Sequence, residues 1–202
     1  FILQLTAILF ISVDNIIISQ ILGPKEVTPY NIAFRYFSIL MMIFALIISP
    51  FRTLFTDSLT RGDYFWIRKN IKKLLSFWII IIFFALIMYF MADNFYSFWI
   101  GDKVKIPKII SLGFLFYVII FTYDCIITDF INSAGKLKIS IFTAVIALAS
   151  NIPLSIYFAK NLEMGSFGVI LATCISFLPG TIFLSIQSYK IAHNTQSGIW
   201  NK

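Results

Sequence analysis

Charge is scarce in this chain. Asp, Glu, Lys and Arg make up 12% of its 202 residues, about half the share of roughly 25% usual in soluble domains. So little polar side chain cannot cover a water-soluble fold, which excludes a soluble enzyme. Cysteine is scarce too: the two present, Cys125 and Cys174, both lie in apolar runs. They read as small packing residues, and a disulfide framework is excluded. The one histidine, His193, stands alone in the tail, so there is no His pair, no Cys cluster and no metal-ligating motif. With nine glycines in the whole chain, collagen is excluded, and none of them builds a phosphate-binding loop.

What is abundant is apolar side chain. Residues of the set Ala, Val, Ile, Leu, Met, Phe, Trp, Tyr and Cys reach 59%, which excludes disorder and amounts to about six membrane spans of ~20 residues each. The sequence is that of a polytopic, all-α membrane protein. Its formal charge of +7 does not point to nucleic acid, because the basic residues sit between apolar runs, where they orient a membrane protein.

Uninterrupted apolar runs predict six helices, over residues 2–21, 31–55, 74–92, 109–132, 139–158 and 167–189. Each is long enough to cross a hydrocarbon core about 30 Å thick at 1.5 Å per residue. Lipid tolerates no unpaired backbone, so such spans must be helical despite their many β-branched and aromatic residues. Turn chemistry marks the connections at Gly23-Pro24, Arg61-Gly62-Asp63, Ser133-Ala134-Gly135 and Met164-Gly165-Ser166. The longest polar stretches, 57–73 and 93–108, are too short for a folded extramembrane domain. Phe1 begins an apolar segment with neither basic leader nor cleavage site, so the expectation is a membrane span rather than a signal peptide, in a fragment whose amino-terminal part is missing.

Basic residues set the expected orientation. Arg61, Arg68, Lys69, Lys72, Lys73, Lys136, Lys138, Lys190 and Lys202 fall on one side, and Lys25, Lys103, Lys105, Lys108 and Lys160 on the other. The richer side is expected in the cytoplasm together with the carboxyl terminus, and the first helix runs outward.

Polar residues inside the spans carry the functional signal, since an ionisable group at a helix centre costs about 2.5–3.5 kcal/mol on insertion scales. The first span carries Gln4, Ser12, Asn15 and Ser19 on one face, with Asp14 beside it. In the second, Asn31, Arg35, Ser38, Met42, Ser49 and Arg52 recur at three- and four-residue steps, the pattern of a helix lining an aqueous path, and Pro50 should kink its inner end. Asn31, Arg35, Ser38 and Asn15 are therefore candidate substrate-pathway residues. Asp14 and Arg35 fall about 10 and 6 Å from the outer surface on antiparallel neighbours, so a purely structural ion pair is an equal reading. Arg52 and Asp129 lie near helix ends, where snorkelling explains them. Asp124 lies about 12 Å from the inner end with no basic partner evident. The third span is expected to face lipid. The fifth gathers Ser140, Asn151 and Ser155 on one side, with Pro153 as a break. The sixth repeats Ala172, Ser176 and Gly180 as a small-residue packing face.

The run Asp14-Asn15-Ile16-Ile17-Ile18-Ser19-Gln20-Ile21-Leu22-Gly23-Pro24, continuing through Glu26-Val27-Thr28-Pro29-Tyr30-Asn31 to Phe34-Arg35-Tyr36-Phe37, resembles the opening of the carboxy-terminal lobe of bacterial O-antigen flippases and related polysaccharide-biosynthesis membrane proteins. Thr56-Asp57 with Gly62-Asp63 and Trp66-Ile67, Asn132 before Gly135-Lys136, Asn151-Ile152-Pro153-Leu154, and Met164-Gly165 with Gly168-Val169 agree with it. Such proteins are similar to multidrug and toxin extrusion (MATE) transporters and the peptidoglycan lipid flippase. The resemblance implies one six-helix lobe of a MATE-like twelve-helix transporter in the bacterial inner membrane, with an amino-terminal lobe absent from this chain. It implies a polyprenyl-diphosphate-linked oligosaccharide, an O-antigen or capsule repeat unit, as cargo, moved by alternating access, with membrane lipid and the polysaccharide-assembly machinery as surroundings. It implies no cofactor beyond Na⁺ or H⁺ coupling, with Asp14 and Asp124 as the coupling carboxylates. A cation-coupled multidrug exporter is the alternative. A membrane enzyme of polysaccharide assembly is disfavoured because no loop is large enough to hold catalytic residues.

The topology is testable directly. Single cysteines placed at Arg61 and at Lys105 in a Cys-free background should react with an impermeant thiol reagent from opposite sides of the membrane. Reaction of both from the same side refutes the map.

Overall fold

The computed structural model describes residues 12–101 and 104–201. Gln4 and the first half of the first expected span, residues 2–11, lie outside the described residues. Six helices follow in order: α1 (Ser12–Leu22), α2 (Pro24–Thr60), α3 (Tyr64–Ile100), α4 (Lys108–Ser133), α5 (Lys138–Asn161) and α6 (Gly165–Ala192), then a short 3₁₀ turn, Gly198–Asn201. Among the described residues there is no strand. α2 to α6 are each long and apolar enough to cross a membrane, so the chain is a helical multi-pass membrane protein.

α4 and α6 pack together at the centre. α2 and α3 lie against α4, α5 lies against α6, and the end of α1 rests on α2 and α6. Phenylalanines fill the junctions: Phe37, Phe44, Phe55, Phe114 and Phe130 are fully buried, with Phe55 edge-on to Phe130 at 5.1 Å between centroids. Half of the most apolar window of α4 is buried, against 17% of that of α3. α3 turns Ile79, Ile80, Phe83, Phe84, Phe90 and Met91 outward, as a lipid-facing helix should.

The helix ends differ from expectation. α2 and α3 are 37 residues each, about 55 Å long, well beyond a hydrocarbon core of about 30 Å. The 57–73 stretch, expected as a connection, is helical except for a turn at Arg61, Gly62 and Asp63. Its polar residues are good helix formers, and backbone hydrogen bonding continues past the lipid wherever a cap allows. Here the Asp63 carboxylate caps α3 by accepting from the Trp66 amide at 2.9 Å, and Gly62 supplies the positive φ of 70° that the turn needs. The 93–108 stretch is likewise helical as far as Ile100. Neither Pro50 nor Pro153 ends its helix. In lipid, breaking the helix would strand more backbone groups than the one amide proline lacks. α5 changes hydrogen bonding only later, in a π turn at Tyr157–Asn161.

The turn after α2, the start of α3, the α4–α5 connection and the end of α6 share one end of the bundle, the basic end. There Arg52 on α2 forms an ion pair with Asp129 on α4, which corrects the expectation that each snorkels separately; the packing of α2 on α4 brings them together. The Ser133 hydroxyl donates to the Arg52 carbonyl at 2.9 Å. The tail folds back over this end, with Lys136 donating to Asn201 at 2.6 Å. Partial burial pulls the Lys136 ammonium below the usual lysine pKa.

The small-residue face of α6 is buried as expected, and its register extends one step further, to Gly168. A Cβ placed there would lie 2.8 Å from the Phe158 carbonyl carbon and 2.9 Å from the Ala159 nitrogen, both backbone atoms of α5 that cannot swing aside. A Cβ on Gly180 would meet only Thr143, at 3.5 Å. Gly168→Ala should therefore lower stability by about 1–3 kcal/mol, and Gly180→Ala should change it little. Thermal unfolding midpoints in one detergent check the contrast.

Candidate functional site at a buried carboxylate

Asp14 is the charged side chain buried most deeply among the described residues, with 4% exposure. α1 delivers it into the interior from a helix whose neighbouring face is polar. Tyr30, near the start of α2, donates its hydroxyl to Asp14 Oδ2 at 2.8 Å. Thr173 on α6 holds its Oγ1 3.2 Å from the same oxygen and 3.1 Å from the Val169 carbonyl, so one hydroxyl proton serves two acceptors. Asn151 on α5 donates to that Oγ1 at 2.8 Å, while its own Oδ1 is buried without a hydrogen-bond partner among the described residues. A cavity of about 10 Å³ adjoins Asp14, walled by Phe34, Phe114, Tyr117 and Ile170. It is large enough for about one water-sized particle.

The electrostatics are unusual for a buried carboxylate. Its donors are hydroxyls, not cations, and among the described residues no ion pair includes Asp14. The expected pair with Arg35 is not formed. Arg35 lies five residues beyond Tyr30, about 140° around α2, so when Tyr30 points inward Arg35 points out. Arg35 is exposed and, among the described residues, has no ion-pair partner.

The other candidate residues divide into two groups. Asn31 donates to Asn15 Oδ1 at 2.7 Å and to the Val27 carbonyl at 3.0 Å, so these two candidates tie α1 to α2 directly above Asp14. Ser38 donates back to the Arg35 carbonyl at 2.8 Å. Arg35, Met42, Ser49 and Arg52 of the polar stripe are exposed, so the stripe lies along an open face of the bundle. Asp124, half-buried, neighbours Thr181, and its Oδ1 has no hydrogen-bond partner among the described residues. Thr173 and Thr181 are eight residues apart on α6, about 12 Å. Asp14 and Asp124 therefore occupy separate positions along that helix.

Tyr30 and Thr173, the two groups that hold Asp14, escaped the sequence reading. Tyr30 stands just before Asn31, and Thr173 just after the first member of the small-residue stripe. The signal was present, in that each neighbours a residue already singled out, but only the packing of α1 against both α2 and α6 joins them. Among the described residues no group of three or more His, Cys, Asp or Glu side chains could hold a metal ion.

Compared with protein-family models, curated proteins and solved structures, the chain has no match.

Loss of the Thr173 hydroxyl should disturb this site more than loss of the ion pair at the basic end. Thr173→Val leaves Asp14 and Asn151 each short of a buried partner and should cost about 1–3 kcal/mol. Arg52→Gln removes a largely exposed pairing partner and should cost under about 1 kcal/mol. Chemical denaturation in mixed micelles measures both.

Proposed function

We propose that this chain forms one lobe of a flippase that moves a polyprenyl-diphosphate-linked oligosaccharide across the cytoplasmic membrane by alternating access. The observation that carries the reading is Arg35, exposed on α2 with Asn31 and Ser38 half-buried on the same helix. A guanidinium at Arg35 that has no carboxylate partner among the described residues, flanked by Asn31 and Ser38 on a membrane-crossing helix, is costly against lipid. It is favourable in a water-filled cavity that receives a diphosphate, for which a planar fork of donors is well suited. The sequence resemblance supports the same cargo and the same two-lobed plan, in which a second lobe closes the cavity.

Asp14 supplies the coupling group in this scheme. Its hydrogen-bond partners are both hydroxyl oxygens, of Tyr30 and Thr173, beside a cavity of about 10 Å³. That donor set suits a proton or a hard monovalent cation such as Na⁺. Neutralising Asp14 would loosen the hold of α1 on α2 and α6. Asp124, beside Thr181, which lies about 12 Å along α6 from Thr173, is a second coupling candidate. A cation-coupled drug exporter is the second reading. The Asp14 site serves it equally well, whereas Arg35 favours an anionic cargo.

Flipping of lipid-linked oligosaccharide in proteoliposomes, with the amino-terminal lobe supplied, tests the assignment. Arg35→Ala should lose nearly all transport and Arg35→Lys part of it. Asp14→Asn should abolish dependence on an imposed Na⁺ or pH gradient, and Asp124→Asn should do so only if it shares the coupling. Unchanged flipping by Arg35→Ala at normal expression overturns the cargo assignment, and unchanged gradient dependence in both Asn variants overturns the coupling assignment.

A further inference from the structure

At the basic end, a groove of about 820 Å³ opens between α3 and α6 with α4 as its floor, a size in the range of built ligand sites. Its chemistry is graded along its length. Arg68, Lys69, Lys72 and His193 rim the mouth, and Leu75, Tyr123 and Ile127 lie deeper. Among the described residues no acidic residue lines it and neither lysine has a carboxylate partner. Arg68 gives one N–H to the Ala192 carbonyl at 3.0 Å, which spans the groove and leaves its remaining donors for another acceptor. At the floor, Tyr123 and Ser185 hydrogen-bond each other at 3.0 Å, so the inner part offers little polarity that is not already satisfied.

Position along α3 decides what such a groove fits. The apolar part of the helix begins at Leu74. Lys72 and Lys69 precede it by about 3 and 8 Å along the axis, the layer where lipid phosphates lie next to the hydrocarbon. A molecule filling the groove would have its charge at the phosphate level and its apolar body beside Leu75, Tyr123 and Ile127. A soluble anion would leave the apolar part exposed, and a neutral lipid would leave the cations unmatched.

We infer that the α3–α6 groove is a site for one anionic phospholipid. Its phosphate is held by Lys69, Lys72 and the spare donors of Arg68, and an acyl chain lies between α3 and α6. The inference concerns binding and stands apart from the transport reading. Its physical basis is charge complementarity at a fixed depth, the means by which basic pockets between membrane helices select anionic headgroups. Such a lipid would also join α3 to α6, which touch each other little.

Native mass spectrometry of the delipidated chain titrated with phosphatidylglycerol and with phosphatidylcholine tests it. One molecule of phosphatidylglycerol should stay bound at concentrations where phosphatidylcholine does not. The double variant Lys69→Gln/Lys72→Gln should weaken phosphatidylglycerol about 30-fold, the effect of two basic residues at an anionic lipid surface. Arg68 is left intact because it holds Ala192. Lys69→Arg/Lys72→Arg should restore binding, and Lys105→Gln/Lys108→Gln, at the opposite end, should leave it unchanged. Glycerol phosphate, which lacks acyl chains, should not displace the lipid. Equal retention of the two lipids, an unaffected Gln double variant, no rescue by Arg, equal loss in the Lys105/Lys108 variant, or displacement by glycerol phosphate each overturns the site.

Discussion

A deeply buried carboxylate has to be satisfied by the helices around it, and Asp14 imposes that condition on this bundle. Burying an unmatched carboxylate costs far more than any single apolar contact returns. The hydroxyls of Tyr30 and Thr173 and the amide of Asn151 behind Thr173 therefore fix how α1, α2, α5 and α6 approach one another. The close approach of α6 to α5 at Gly168 lies between the same two helices that Asn151 and Thr173 join. Apolar packing fills the space between these points, but in lipid it discriminates poorly among helix orientations. Polar registration does the discriminating.

Two classes of ionisable group follow from this. At the basic end, Arg52 and Asp129 reach each other where water is close and charge is cheap. Inside, Asp14 meets hydroxyl donors, and Arg35 faces outward on the opposite side of α2 from Tyr30. The separation of a buried acid from an outward-facing base follows from helical geometry, since Tyr30 and Arg35 cannot share a face.

Hydropathy made the spans legible because the cost of an unpaired backbone in lipid leaves helices as the form an apolar run of that length can take. The small-residue face of α6 and the buried Ser140, Asn151 and Ser155 of α5 were legible for the same reason, as periodicity on one helix. The ends of α2 and α3 were not. Outside the hydrocarbon, polarity no longer distinguishes helix from loop, and capping at Asp63 decides the boundary. Nor were the partners of Asp14 legible, because Tyr30 and Thr173 lie 16 and 159 residues away and periodicity within one helix carries no information about which helices meet. The pairing of Arg52 with Asp129, 77 residues apart, was hidden in the same way.

The length of α2 has a mechanical meaning. One end is pinned through Tyr30 and Asn31 to α1, and the other projects past the hydrocarbon, tied to α4 by Arg52 and Ser133. A rod of about 55 Å held at both ends is a strut: it sets the distance between the buried acid and the basic end.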